Sequence, residues 1–233
     1  MSDLAAARTE VLHRIAAACA RARRDPAEIT LVAVSKTVPV ETVRALAACG
    51  QTVFGENRVQ EALAKIPEVD AGARWHLIGH LQKNKARHAV GAFEMIHSVG
   101  DVELARELDR RAARAGLVQP VLVQVNVSRE PSKEGVEEEG LPEVVDAVAA
   151  LPALDLRGLM CIPAPGEEPE ESRPAFARLR ELRDDCAARI GRPLPDLSMG
   201  MTDDFEPAIE EGATLVRIGR ALFGKRGQTP FFV

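Results

Sequence analysis

Eight short apolar runs, each followed by a helix-like stretch, restrict the fold of this chain more than any other feature of its sequence. The runs lie at 29–36, 52–57, 74–79, 95–99, 121–127, 156–162, 197–202 and 214–219. Helical stretches follow at 38–50, 58–66, 83–90, 101–116, 142–151, 174–190 and 204–211, and the segment ALFGKR supplies a last helical turn. Strands separated by helices run parallel, because the chain crosses back over the sheet before the next strand begins. Eight such units in 233 residues match the size of a closed barrel. An open doubly wound sheet would carry a glycine-rich phosphate loop after its first strand, and this chain has AVSKTVP there. The expected architecture is a single (β/α)8 TIM-like barrel of the α/β class, one domain over residues 1–233. An extra amphipathic helix at 2–24 precedes it, with Leu4, Val11, Leu12, Ile15 and Cys19 on its apolar face.

Charge and composition remove several function classes. The chain has 30 Lys+Arg against 35 Asp+Glu, a net charge of −5, which argues against a dedicated nucleic-acid binder. No apolar run approaches the roughly 20 residues of a membrane helix. The N-terminus lacks the order of a secretory signal, and Asp3 and Glu10 disfavour a transit peptide. Cys19, Cys49, Cys161 and Cys186 are widely spaced with no C-x-x-C pair, so they read as reduced thiols in a cytoplasmic protein. There is no tyrosine, so no phenol can act as acid or base.

Barrel chemistry collects where strands end. Lys36 closes the first run, where desolvation lowers the pKa of an amine and lets it attack an aldehyde. The bland alternative is an exposed lysine just past a strand. Loops after the last two strands commonly hold phosphate, and there stand Ser198, Gly200 and Gly219. Arg217 shares a strand face with Gly219 and points inward, where a guanidinium needs a partner. His76 and His97 fall mid-strand and read as packed or hydrogen-bonded groups. His80 ends a strand without a metal-partner set, so no metal is expected. The KNKARH stretch at 83–88 and Glu137-Glu138-Glu139 read as solvated faces.

AVSKTVP, FGENRVQE, WHLIGHLQKNK, the SKEG of 132–135, RGLMCIPAP, LSMGMTDDFEPAIEEG and VRIGRALFG occur in order over residues 31–224. In these segments the chain resembles the pyridoxal 5′-phosphate homeostasis proteins (the YggS/PROSC family). The resemblance implies a barrel like the N-terminal domain of alanine racemase, with pyridoxal 5′-phosphate (PLP) as cofactor. It implies that Lys36 carries PLP as a Schiff base and that Arg217 faces the pyridine nitrogen. It implies that Ser198, and Gly219 with the next backbone amide, hold the phosphate. Asn57 and the Met199-Gly200 backbone are expected near the ring or phosphate. Family members often have Thr after the final glycine, and this chain has Arg220. A backbone contact survives that change, and the Arg220 side chain can replace the hydroxyl with a charge-assisted bond.

A guanidinium at the pyridine nitrogen keeps its own proton, which makes the ring a weak electron sink. In alanine racemase the base on the opposite ring face is a tyrosine, and the last residue here, Val233, leaves no expected room for a second domain. The expectation is therefore a PLP carrier or reservoir in PLP homeostasis with no assigned catalytic residue. Its expected partners are PLP and PLP-free acceptor enzymes, with no nucleic acid and no membrane, as a monomer or weak homodimer. Two alternatives stay open at this point. One is a small PLP-dependent racemase or lyase using His80 as second base. The other is a barrel for phosphorylated metabolites in which Lys36 acts as an aldolase-type lysine.

Overall fold

The computed structural model describes residues 2–128, 134–164, 166 and 168–224. Ser132 and Lys133 of the SKEG segment, residues 165 and 167 of the loop after the sixth strand, and Lys225 and Arg226 of the last turn lie outside them. Eight parallel strands close into a barrel in sequence order. They are β1 (Thr30–Val34), β2 (Val53–Glu56), β3 (Arg74–Leu77), β4 (Met95–Val99), β5 (Gln119–Gln124), β6 (Leu154–Met160), β7 (Asp196–Ser198) and β8 (Leu215–Ile218). The helices are α1 (Ser2–Ala22), α2 (Val40–Ala48), α3 (Val59–Lys65), α4 (Ala86–Ala89), α5 (Val102–Ala115), α6 (Leu141–Ala149), α7 (Arg173–Ile190), α8 (Phe205–Glu210) and α9 (Arg220–Phe223). The ring closes where β1 pairs β8, from Thr30 opposite Leu215 to Ala33 opposite Ile218.

Side-chain alternation divides the core into two layers. Phe54, Leu77, Ile96, Val123, Leu197 and Val216 point out to the helices and belong to the larger cluster. Val32, Val53, Leu122, Met160 and Leu215 point in and form a separate plug. Two residues further along β4 and β8, the inward positions change character. Met95 is followed by His97, and Leu215 by Arg217, so the interior turns polar toward the mouth.

Local chemistry explains most element ends. Asp101 caps α5 by accepting from Leu104 N–H at 2.7 Å. The stretch expected as a helix at 83–90 is a 3-10 turn (Lys83–Lys85) followed by the four-residue α4. Lys83, Lys85 and Arg87 crowd it with positive charge and only Ala86 and Ala89 are buried, which leaves too little apolar face for a longer helix. On α1 the buried stripe is Val11, Ile15, Ala18 and Cys19, while Leu12 faces solvent. Ala18 takes the place expected for Leu12. Arg14 pins this helix to α8 through Glu206 at 2.7 Å and lies over the Phe205 ring at 4.6 Å. Among the described residues no helix is long and apolar enough to cross a membrane.

Candidate functional site

The residues singled out from the sequence gather on four neighbouring strand ends. Ser198, Met199 and Gly200 end β7, and Arg217, Gly219 and Arg220 end β8. Lys36 follows β1, and Asn57 follows β2. Val32 of β1 stands opposite Arg217 of β8, and both face the barrel interior. Lys36 lies two residues past the end of β1, in the turn that follows it, and is half-buried.

Arg217 is 4% exposed, deep enough that its charge requires partners. It donates from Nη1 to Ser198 Oγ at 2.6 Å and from Nη2 to the Cys161 carbonyl at 2.8 Å. Two of its five N–H groups are thus committed to holding the head in place. Ser198 Oγ also meets His97 Nδ1 at 2.9 Å, and His97 Nε2 meets His76 Nδ1 at 3.0 Å. Direction follows from the arginine, which can only donate. The serine accepts from it and donates its own O–H to His97 Nδ1, and His97 Nε2–H then donates to His76. The reverse order would leave the buried hydroxyl proton unspent. His76 Nε2 ends the chain, buried and with no hydrogen-bond partner among the described residues.

Both rings are therefore neutral. Burial, reinforced by Arg74, lowers the pKa of His76 to about 4. Burial, then His76 and Arg217, hold His97 well below its usual value. The unfolded chain takes up these protons near pH 6.5, before the folded chain does, so stability falls as pH drops through that value. For His76 the loss is complete near pH 4 and amounts to about 3 kcal/mol. Urea unfolding midpoints should decline steadily from pH 7 to pH 5. A flat profile over that range would show that the two imidazoles are not buried as neutral groups.

The two glycines at the mouth differ in kind. Gly200 has φ +87°, and a Cβ there would lie 2.6 Å from Ala208 Cβ and 2.9 Å from Phe205 Cα, so the fold itself requires glycine. At Gly219, φ is −115° and a Cβ would make ordinary 3.5 Å contact with Val34. Neither packing nor backbone demands glycine at 219, and the absent side chain leaves room in front of the first amides of α9.

Several expected contacts are already engaged. The Ser198 hydroxyl is fully buried between Arg217 and His97. Met199 N–H is bonded to the Leu215 carbonyl at 3.2 Å, and its side chain packs in the outer core. The Gly200 carbonyl accepts from Arg217 N–H at 3.0 Å. Arg220 is exposed and pairs with Asp203. It lines a cavity of about 580 Å³ together with Thr202, Asp204 and Arg14. Asn57 lines a separate cavity of about 400 Å³ with Arg58, His80 and Lys85, and His80 meets Glu134 at 3.2 Å.

His76 and His97 are hydrogen-bonded, as their mid-strand positions suggested, and residue order did not show that they extend the Arg217–Ser198 chain. The signal for His97 was its place two residues after inward-facing Met95. Among the described residues no group of three or more His, Cys, Asp or Glu is arranged to hold a metal.

Comparison with known proteins bears on this site. The family model described as "Alanine racemase, N-terminal domain" matches residues 9–227. A pyridoxal phosphate homeostasis protein of Aquifex aeolicus is 48% identical over 219 residues, covering 94% of this chain and 96% of that one. One from Pseudomonas aeruginosa is 48% identical over 227 residues, covering 97% of each. The structure of PipY from Synechococcus elongatus with PLP bound is 38% identical, with a TM-score of 0.81, covering 92% of this chain and all of that one.

Proposed function

The chain belongs to the pyridoxal phosphate homeostasis protein family, and on that premise we propose that it holds PLP at the barrel mouth and passes it to other proteins. The observation that carries this reading is the pairing of β1 with β8. It brings the turn just past β1, which carries Lys36, and the turn just past β8, which carries Gly219, to adjacent strand ends, with Arg217 facing inward opposite Val32. The group fits those residues. PLP supplies an aldehyde that an amine can capture, a ring nitrogen that accepts a hydrogen bond, and a phosphate.

On this reading each residue has one task. Lys36 provides the amine. Arg217, fixed by Ser198 and Cys161, presents a donor to the ring nitrogen. Because a guanidinium does not give up its proton at neutral pH, it cannot protonate that nitrogen, and the ring's capacity to stabilise a carbanion stays low. The Gly219 and Arg220 amides open the four-residue α9 and lack intrahelical partners, which suits an anion. Ser198 positions Arg217, and Asn57 borders the mouth from β2.

The racemase or lyase reading rests on His80, which borders the Asn57 cavity and is engaged with Glu134 at 3.2 Å. The chain has no tyrosine, His76 and His97 are buried and neutral, and each missing acid–base group removes about 10²–10⁴-fold in rate. The expected partners are PLP-free acceptor enzymes, and the protein acts as a monomer or weak homodimer. A cytoplasmic setting suits four cysteines that form no disulfide, three of them buried.

The test mixes PLP-loaded protein with a PLP-free acceptor enzyme in the presence of a scavenger for free PLP. Recovery of acceptor activity despite the scavenger is the expected result. Steady racemisation or decarboxylation near 10 s⁻¹, lost in Lys36→Ala, would instead establish an enzyme.

A further inference from the structure

A buried ion cluster lies behind the turn that carries Lys36, on the helix side of the sheet. Lys65, at the end of α3, is 7% exposed. Its ammonium donates to the Ser35 carbonyl at 2.7 Å, to Glu56 Oε1 at 2.8 Å and to Glu61 Oε1 at 2.7 Å. All three of its protons are thereby used. Ser35 Oγ donates to the same Glu56 oxygen at 2.7 Å. On the far side of Lys36, Thr37 N–H donates to Glu61 Oε1 at 2.5 Å. Thr37 has φ +62°, a left-handed conformation that a β-branched residue rarely adopts.

The two residues flanking Lys36 are therefore each tied to the cluster, Ser35 through its carbonyl and Thr37 through its amide. Burying an ammonium with carboxylates is weak as a source of stability, because desolvation offsets the attraction. Its product here is geometric: it holds a strained backbone conformation at one turn. Burial raises the pKa of Glu56 even against Lys65. For Glu61, burial would do the same, but the bonds from Lys65 and Thr37 outweigh it and hold the carboxyl below its usual value.

We propose that Lys65 and Glu61 are positioning residues that fix the Ser35–Thr37 turn and so aim the Lys36 amine, without themselves touching the cofactor. The proposal rests on the reading of Lys36 as the covalent PLP site. Its test compares the affinities of wild type, K65M and E61Q for two ligands. PLP uses the lysine, the ring contacts and the phosphate contacts. Pyridoxine 5′-phosphate has the ring and phosphate but no aldehyde.

K65M should bind PLP about tenfold more weakly, as expected for loss of charged hydrogen bonds, with pyridoxine 5′-phosphate affinity unchanged. E61Q should shift in the same direction by less. Glu61 is partly exposed, so E61Q serves as the folding-safe variant if K65M is insoluble. Equal losses for both ligands in soluble protein would reduce the cluster to general packing and overturn the proposal, as would unchanged PLP affinity in E61Q and K65M. Borohydride labelling of wild type away from Lys36 would overturn the parent reading instead, so the two failures are distinguishable.

Discussion

Lys36→Ala should abolish the aldimine absorbance band of the PLP-loaded protein and all borohydride-stable attachment of the cofactor. Covalent capture needs an amine at the mouth, and Lys36 stands in the turn just past the end of β1. Among the described residues the other lysines are Lys65, Lys83 and Lys85. Lys65 spends its three protons behind the sheet. Lys83 is exposed and pairs with Glu103 at 2.9 Å. Lys85 lines the cavity that borders Asn57. Truncating Lys36 leaves Arg217 and the α9 amides in place, so residual non-covalent PLP binding should persist. Dialysis followed by absorbance separates the two modes: the variant should lose its cofactor, and wild type should keep it. A variant that stayed yellow after dialysis would remove Lys36 from its assigned role.

Gly219→Val should weaken PLP binding by roughly 10- to 150-fold, the range for losing one charge-assisted bond of about 1.5–3 kcal/mol. The new side chain meets Val34 at an ordinary distance, so the fold should tolerate it. What it blocks is the approach of an anion to the amides at the start of α9. Pyridoxal, which lacks the phosphate, should be affected far less. Gly200→Ala provides the contrast, because its left-handed φ and the 2.6 Å approach to Ala208 direct the damage at folding. Paired titrations with PLP and pyridoxal, alongside thermal melts, read both outcomes. Equal loss of PLP and pyridoxal affinity in Gly219→Val would place the phosphate elsewhere.

The sequence carried the barrel plainly, because eight apolar runs with helical spacers admit few other arrangements. The positions of Lys36, Arg217 and Gly219 at or just past strand ends were legible for the same reason, because βα position is written in residue order. Side-chain partnerships were not legible. Ser198 looked like a phosphate hydroxyl because it ends a strand, and its bonds to Arg217 and His97 depend on β4 and β8 converging across the interior. In residue order Glu61 and Lys65 show nothing beyond i,i+4 spacing on a helix. Their burial depends on α3 packing over the Ser35 turn, about 30 residues away in sequence. Helix strength was overread at 83–90, where helical spacing suggested a full helix and the number of buried residues does not sustain one.

The central claim is that PLP is held at the barrel mouth by Lys36. Its most direct test is to reduce the PLP-loaded wild-type protein with borohydride, digest it, and map the cofactor's mass by peptide. The account predicts the label on the peptide containing Lys36 and loss of that labelled peptide in Lys36→Ala. A label on the Lys65, Lys83 or Lys85 peptide, or an unlabelled protein that nevertheless keeps its yellow colour through dialysis, would contradict it.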